Sequence, residues 1–162
     1  MLVLVLNGPI NAGKTTTGRA LAAMLADAHF VDGDDHEAAD DAPLAERISA
    51  SFARIERMIG GAQAAVLVIA SPLRDEDVER LGAACLRRAA DLRVVTLAPP
   101  IEVALSNRGS RQLRPDEISR SRRMYAEGYA TRAFSDLLIN DMTTPEACAR
   151  QIARHFGLSM SS

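Results

Sequence analysis

Short apolar runs and longer amphipathic stretches alternate along the chain. The first apolar run, Leu-Val-Leu-Val-Leu at 2–6, is typical of a strand buried on both faces of a sheet. Similar runs recur between stretches in which apolar residues follow helical spacing, as in 43–59. The pattern predicts strands at 2–6, 29–31, 65–70, 92–97 and 137–139. It predicts helices at 14–26, 43–59, 75–90, 99–107, 115–128 and 143–156.

The last predicted helix carries start and stop signals. Thr143-Thr-Pro-Glu146 has the capping-box pattern with proline in the first turn, and Gly157 follows the last periodic residue. We therefore expect this helix to begin at Thr143 and the tail after Gly157 to fray.

Strands that alternate with helices predict a parallel sheet covered on both faces. The expected fold is α/β, with three layers arranged α/β/α around a five-stranded parallel sheet. The chain has 162 residues and contains no linker, repeat or low-complexity segment. It is therefore predicted to form one domain over 1–162.

Composition excludes several classes of protein. Hydrophobic residues make up 48% and charged residues 25% of the chain, which excludes a disordered or fibrous protein. The opening apolar run is far shorter than the ~18 residues of a membrane span, so neither a transmembrane helix nor a signal peptide is expected. The two cysteines lack metal-site spacing, which favours free thiols and a cytoplasmic protein. A net charge of −2 gives no general attraction to nucleic acid or membranes.

Charge is distributed unevenly along the sequence. Six acids and no basic residue fall within 32–41, whereas seven arginines fall within 108–132. The first segment can attract a cation and the second an anion. Of the nineteen basic residues, eighteen are arginine, and the only lysine is Lys14. Lys14 therefore marks a position that requires a compact ammonium group instead of a planar guanidinium.

The sequence around Lys14 explains that requirement. Gly8-Pro-Ile-Asn-Ala-Gly-Lys-Thr15 matches G-x-x-x-x-G-K-[ST] between a strand and a helix, which is the phosphate-binding loop, or P-loop. Its backbone N–H groups and the helix N-terminus can surround a polyphosphate, while Lys14 reaches between phosphates and Thr15 offers a hydroxyl to Mg²⁺. The predicted nucleotide-binding residues are Gly8, Asn11, Ala12, Gly13, Lys14, Thr15 and Thr16.

Missing motifs narrow the class of P-loop protein. The guanine-reading N-K-x-D motif is excluded because the only lysine already lies in the P-loop. A motor, helicase or transporter ATPase normally has an acidic residue after a hydrophobic strand, but the strand at 65–70 ends in Ser71-Pro72. Small kinases remain, in which an arginine-bearing lid closes over the transferring phosphoryl group. The arginine-rich segment 108–120 is the predicted lid.

Three further segments carry a resemblance. They are Val31-Asp-Gly-Asp-Asp-His36, Ile69-Ala-Ser-Pro-Leu-Arg74 and the arginines of 107–114. The first resembles the Asp-Gly-Asp loop of gluconokinase and adenylylsulfate kinase and the Asp-x-Asp of shikimate kinase. The second is similar to the Ile-Ser-Pro segment of adenylylsulfate kinase. The third resembles the adenine-flanking and lid arginines of these kinases. The chain thus resembles the small P-loop metabolite kinases, a group that includes chloramphenicol phosphotransferase. It lacks the Gly-Gly-Gly and Phe-Arg-x-x-Glu segments of shikimate kinases and the Gly-Leu-Tyr lid segment of adenylylsulfate kinases.

The resemblance implies ATP and Mg²⁺ as cofactors and a small hydroxyl compound as phosphoryl acceptor. It implies that Asp34 orients and deprotonates the acceptor, and that Asp32 and Thr15 support Mg²⁺. Lid arginines would balance charge on the transferring group. The expected catalytic residues are Lys14, Asp32, Asp34 and Arg111; Arg108 is expected at the nucleotide, and Arg54 and Arg114 at the substrate.

Competing interpretations stay open for several of these residues. The acidic run also fits a solvated loop, His36 also fits a solvent-facing side chain, and Arg54 also fits an ion pair with a neighbouring acid. Arg120, Arg122 and Arg123 are expected on a helix surface. The acceptor stays open, as do two other functions, a nucleotide-dependent regulatory protein and a polynucleotide 5′-kinase. The expected assembly is a monomer or weak homodimer, without nucleic-acid or membrane partners.

Overall fold

The structure, a computed structural model, describes residues 1–107, 111–141 and 144–161. Its strands are β1 (Leu2–Asn7), β2 (Ala28–Asp32), β3 (Val66–Ala70), β4 (Asp91–Leu97) and β5 (Leu137–Ile139). Its helices are α1 (Lys14–Met24), α2 (Leu44–Gly61), α3 (Asp75–Arg87), α4 (Ile101–Ala104), α5 (Pro115–Ala126) and α6 (Pro145–His155). None of these helices is long and apolar enough to cross a membrane.

The five strands form one sheet in the order β2-β3-β1-β4-β5, and every neighbouring pair is parallel. The predicted five-stranded parallel α/β fold is therefore confirmed. In the register of the sheet, Leu6 of β1 lies beside Ala70 of β3 and Val95 of β4. Since all strands run the same way, the loops that follow β1, β2 and β3 meet at one edge of the sheet.

The core is divided between the two faces of the sheet. Side chains of β1 alternate: Val3 and Val5 pack into a cluster with Ile55 of α2 and Leu81 of α3. Leu4 and Leu6 point to the other face, where they pack with Leu21 of α1 and Ile152 of α6. Burial of β1 on both faces is what its continuous apolar sequence predicts, and it produces the three layers.

The predicted and observed elements differ mainly at their ends. Helix α3 stops at Arg87, short of the predicted 90, because Ala89 takes a left-handed φ of 51°. Helix α4 is four residues long, where a helix over 99–107 is expected. Helix α6 is capped by Thr144, whose Oγ1 accepts the Ala147 N–H at 3.1 Å. The cap thus lies one residue beyond Thr143, which falls outside the described residues.

The C-terminal tail is paired within the part of the chain that the structure describes. Met160 forms an antiparallel bridge with Leu25, and the Ser161 N–H donates to the Met24 carbonyl at 2.8 Å. The expectation of a frayed tail is therefore wrong. The tail closes the end of α1, where Leu25 is extended.

Candidate functional site

The P-loop connects the end of β1 to the start of α1. At Gly8 φ is 145°, and a Cβ there would collide with the Leu97 carbonyl oxygen at the end of β4. A residue other than glycine would push the loop away from the sheet. The packing of Gly8 against β4 therefore fixes where the loop begins.

The start of α1 offers unpaired backbone donors. Its first helical hydrogen bond runs from the Thr17 N–H to the Gly13 carbonyl at 2.9 Å. Within the described residues, the N–H groups of Lys14, Thr15 and Thr16 have no backbone acceptor. The first turn of a helix leaves these donors unsatisfied, and together with the helix dipole they favour an anion. This part of the chain fits a polyphosphate group.

Lys14 turns back onto its own loop. Its Nζ donates to the Pro9 carbonyl at 2.7 Å and to the Gly8 carbonyl at 3.0 Å. Loss of hydration in this partly buried position lowers the pKa of Lys14 from 10.5 to about 8. Asp34 and Asp32 oppose that shift in the pKa, whereas Arg111 and Arg120 add to it. Two carboxylates and two guanidinium groups therefore lie within electrostatic range of Lys14.

The acidic loop begins at Asp32, the last residue of β2. Asp32 Oδ1 accepts the Asp34 N–H at 3.3 Å, and the Asp32 carbonyl accepts the Asp35 N–H at 3.4 Å. The loop is therefore a turn. A Cβ on Gly33 would collide with Ala70 and Ser71 at the end of β3, so glycine allows the turn to rest there. Both Asp32 and Asp34 nevertheless act on Lys14.

Arg54 of α2 lies against the same loop. Its Nη1 donates to the Asp32 carbonyl at 3.2 Å, and its Nη2 lies 3.6 Å from Asp35 Oδ2. Asp35 is thus held by an ion pair, while Arg19 Nη2 lies 3.9 Å from Asp32 Oδ2. His36 Nδ1 is 3.1 Å from the Ala38 carbonyl of its own loop. Arg54 therefore fixes the acidic loop through the Asp32 carbonyl and the Asp35 carboxylate, beside the candidate site.

The predicted lid arginines have different surroundings. Arg111 Nη2 donates to Glu117 Oε1 at 2.8 Å. Arg114 caps α5, and its Nη2 lies 3.2 Å from Asp116 Oδ2. The pKa of Glu117 is lowered first by the Arg114 backbone N–H and then by Arg111. Among the described residues, the charges that shift the pKa of Lys14 include Arg111 and exclude Arg114. Arg108 lies outside the described residues.

Sequence reasoning missed Arg120 as a site residue. Expected on a helix surface, it acts electrostatically on Lys14, and it has no ion pair within the described part of the chain. In the structure, Arg120 is adjacent to Ser121, which is fully buried and donates a hydrogen bond to the Ile10 carbonyl of the P-loop. Which flank of α5 faces the P-loop depends on the fold, so the sequence alone does not separate Arg120 from Arg122 and Arg123.

Asn7 is a second residue that sequence reasoning missed. It is fully buried at the end of β1. Its Nδ2 donates to Thr96 Oγ1 at 2.9 Å and to the Tyr129 carbonyl at 3.3 Å. Its Oδ1 accepts the Leu73 N–H at 2.8 Å. Asn7 is the residue before the P-loop. Its hydrogen bonds connect it to β4, to the loop after β3 and to the segment after α5. A polar residue at the end of an apolar strand was the available signal.

No protein-family model matches the chain, and no curated protein sequence matches it significantly. Solved structures do match over nearly its full length. A sugar kinase from Janibacter sp. has a TM-score of 0.70 at 16% identity, with 98% of this chain and 95% of that chain covered. A gluconokinase from Sinorhizobium meliloti has a TM-score of 0.67 at 12% identity, with 96% and 95% covered. Kti12 from Chaetomium thermophilum, solved in complex with ADP-AlF3, has a TM-score of 0.66 at 17% identity, with 99% and 100% covered.

These matches define the fold class. The chain has the fold of P-loop kinases, and its resemblance to that group is confirmed at the level of structure. Identities of 12–17% leave the activity and the acceptor to be argued from the site.

Proposed function

We propose that the protein is an ATP-dependent phosphotransferase whose acceptor is a hydroxyl group of a small metabolite. The observation that supports this most is the set of charges around Lys14. The sole lysine of the chain stands in an intact P-loop, with carboxylates from the loop after β2 and guanidinium groups from the lid within electrostatic range. Phosphoryl transfer needs an anion cradle, a carboxylate near the acceptor and mobile positive charge.

The nucleotide side of the proposed site is built on β1 and α1. The backbone N–H groups of 11–16 and Lys14 would hold the phosphates of ATP, with Gly8, Ala12 and Gly13 shaping the loop. Thr15 and Asp32 would support Mg²⁺. The described residues contain no cluster of three or more His, Cys, Asp or Glu side chains that would hold a metal ion. Mg²⁺ would therefore enter with the phosphates of the nucleotide, whose oxygens complete its coordination.

The acceptor side is built on the loop after β2. Asp34 would hold the acceptor hydroxyl in line with the γ-phosphorus and receive its proton as the new P–O bond forms. Arg54 would support this side by holding the acidic loop. Arg111 would exchange Glu117 for the transferring phosphoryl group, and Arg120 would add a second positive charge. Arg108 and Arg114 stay assigned to the nucleotide and the substrate as predictions from the sequence.

A nucleotide-dependent regulatory protein is the second candidate. Kti12 matches the chain about as well as the sugar kinase does, with TM-scores of 0.66 and 0.70. A polynucleotide 5′-kinase is disfavoured by the net charge of −2 and by only six aromatic residues, two Tyr and four Phe, for base stacking. A cytoplasmic monomer or weak homodimer remains our expectation.

A coupled ADP-release assay against a panel of hydroxylated metabolites tests the proposal. The panel should include sugar acids, nucleosides, aminocyclitols and sulfonucleotides, with Lys14→Ala as the inactive control. Acceptor-dependent ADP release by the wild type alone supports a kinase. ATP binding without acceptor-dependent turnover, together with capture of a specific protein or RNA only when ATP is bound, supports the regulatory alternative.

A further inference from the structure

The tip of the P-loop is hydrogen-bonded to both segments that flank the lid. On one side, Asn11 Nδ2 donates to the Ala104 carbonyl at 2.9 Å and to the Ser106 carbonyl at 3.0 Å, where α4 ends. On the other side, Ser121 Oγ of α5 donates to the Ile10 carbonyl at 3.4 Å. Two adjacent P-loop residues thus contact the chain just before and just after the lid.

The backbone of Asn11 indicates that its side chain is what this position requires. Asn11 has a φ of 60°, in the left-handed region where glycine is the least strained residue. Asparagine tolerates this conformation better than most residues, and it also brings an amide. That amide satisfies two carbonyls at the end of a short helix, where backbone acceptors lack helical partners. The loop therefore combines a turn that glycine could make with a contact that glycine lacks.

Burial limits how far the flanking segments can move independently of the loop. Ala104 and Ser121 are both fully buried. A displacement of Ile10 or Asn11 must therefore either break these hydrogen bonds or move the end of α4 and the middle of α5 with it. Arg111 lies seven residues after Ala104 in the chain and is ion-paired with Glu117 of α5 at 2.8 Å, and Arg120 immediately precedes Ser121. The two arginines that act on Lys14 are thus the ones attached to these segments.

We propose that Asn11 and Ser121 are positioning residues that transmit nucleotide binding in the P-loop to Arg111 and Arg120. The proposal rests on the proposed function in one respect, that ATP occupies the P-loop. When phosphates take the N–H groups of 11–16 and draw Lys14 Nζ away from the Pro9 and Gly8 carbonyls, the loop tip adjusts. The hydrogen bonds of Asn11 and Ser121 carry that adjustment to both ends of the lid. Phosphate entry and arginine placement then become one event.

A purely structural role makes a different forecast. If Asn11 only caps α4, its loss lowers stability equally with and without nucleotide. If it transmits binding, its loss leaves nucleotide affinity nearly intact but separates the lid from the loop. The discriminating quantity is therefore the change that ATP causes in the lid.

The test uses Asn11→Gly, which keeps the left-handed turn and removes the amide. Gln63→Gly is the matched control, because Gln63 Nε2 also donates to a carbonyl at the end of a helix, that of Gly61 at 3.3 Å, away from the P-loop. Hydrogen exchange of peptides spanning 101–107 and 111–126 is measured with and without Mg-ATP. In the wild type and the control, Mg-ATP should slow exchange in both peptides. Asn11→Gly keeps the backbone N–H that is assigned to the phosphates, so ATP should bind within about threefold of wild type, while the protection of 111–126 falls by half or more.

Steady-state kinetics provide a second readout once an acceptor is known. Asn11→Gly should lower kcat about tenfold with little change in the KM for ATP, because the arginines reach the transition state less often. Should Asn11→Gly fail to fold, Ser121→Ala tests the other attachment by the same exchange measurement. Equal nucleotide-induced protection in wild type and both variants would overturn the proposal.

The proposed function and this inference fail in distinguishable ways. ATP binding with lid protection that depends on Asn11, but without transfer to any acceptor, would contradict the kinase function and support the coupling. Transfer activity with wild-type protection in the variants would do the reverse. Failure of the wild type to bind ATP would overturn both.

Discussion

Lys14 carries a charge in a place where the free protein stabilises it poorly. Its ammonium group is partly buried, it donates hydrogen bonds to two backbone carbonyls, and Arg111 and Arg120 lie within electrostatic range. The pKa of about 8 expresses that deficit. A phosphate group, as in the proposed nucleotide site, would supply the missing negative charge.

Substitution of Lys14 should therefore not destabilise the free protein at neutral pH. The folded pKa of about 8 lies below the unfolded value of 10.5, so the unfolded chain binds more protons between these values and wild-type stability rises with pH across that window. Below pH 8 the charged lysine costs the fold at most about 3 kcal/mol. We expect the unfolding free energy of Lys14→Met at pH 7 to equal or exceed that of wild type, and the difference to shrink towards pH 10. Urea unfolding at both pH values measures this; a loss above about 1 kcal/mol at pH 7 would contradict it.

Nucleotide binding should draw a proton onto Lys14. Bound phosphates raise the pKa of Lys14 above the free value of about 8. At pH 8.5 the phosphates themselves are ionised, and roughly 0.7 proton should be taken up per nucleotide bound. Uptake should fall towards zero at pH 6.5, and ATP affinity should weaken above pH 8. Calorimetric titration in two buffers of different ionisation enthalpy gives the proton count. Lys14→Met, which has no titratable group at this position, is the control at saturating nucleotide, and the same uptake there would assign the proton to another group.

Asp34 and Asp35 should differ sharply although they are adjacent. Asp34 acts electrostatically on Lys14, whereas Asp35 Oδ2 lies 3.6 Å from Arg54 Nη2. Asp34→Asn should keep ATP affinity within a few-fold and reduce phosphoryl transfer by about 10²-fold or more, the scale of a lost general base. Asp35→Asn should change transfer little. Calorimetry and steady-state rates on both variants measure this. The reverse order of effects would assign the acceptor contact to Asp35.

At the scale of elements, periodicity predicted the strands and the longer helices because each buries a regular apolar face. Periodicity failed where contacts with other segments of the same chain determine the conformation. The loop after β2 turns because Gly33 rests on the end of β3, a contact that no local pattern contains. The tail is held by pairing of Met160 with Leu25, and residues far apart in sequence make that bridge. The site loops could be located from the sequence, but their shapes could not.

At the start of α5, Arg111 is held in an ion pair with Glu117, which in the proposed function would compete with a phosphate. Glu117 Oε1 accepts a hydrogen bond from Arg111 Nη2, and Glu117 Oε2 accepts one from the Arg114 backbone N–H. Glu117→Gln retains an oxygen for the helix cap and removes the charge. Because exposed ion pairs contribute 0.2–1 kcal/mol, ATP should bind about 1.5- to 5-fold more tightly to this variant. Asp116→Asn, which removes one of the two carboxylates paired with Arg114, is the matched control and should leave ATP affinity unchanged. Unchanged affinity in both variants would argue that Arg111 does not reach the nucleotide.

At the scale of the whole molecule, the parallel sheet explains why distant segments share one site. The P-loop follows the central strand β1, and the acidic loop follows the edge strand β2. The carboxyl ends of both strands lie at the same edge, which brings Asp32 and Asp34 within electrostatic range of Lys14. Sequence reasoning did not identify Arg120 and Asn7, because their contacts depend on how α5 and the segment after it pack against the sheet. Their residue types alone do not indicate a site residue until that packing is known.

Asn7 connects β1 with three other parts of the chain, so its removal should destabilise the fold. The side chain joins β1 to β4, to the loop after β3 and to the segment after α5 through three hydrogen bonds of 2.8–3.3 Å. Asn7→Ala leaves the buried Leu73 N–H without its acceptor and opens a small cavity beneath the P-loop. An unsatisfied buried group costs about 1–3 kcal/mol, so we expect a loss of about 2–4 kcal/mol in unfolding free energy once the cavity is added.

Chemical denaturation of the variant measures that loss. Asn140→Ala, an exposed asparagine just after β5, is the control and should change stability by less than about 0.5 kcal/mol. Because Asn7 precedes the P-loop, ATP affinity should also fall in Asn7→Ala at temperatures where the variant is still folded. Wild-type stability in Asn7→Ala would mean that water or a shifted backbone replaces the amide. The Asn7 amide would then not be required to hold the three segments together.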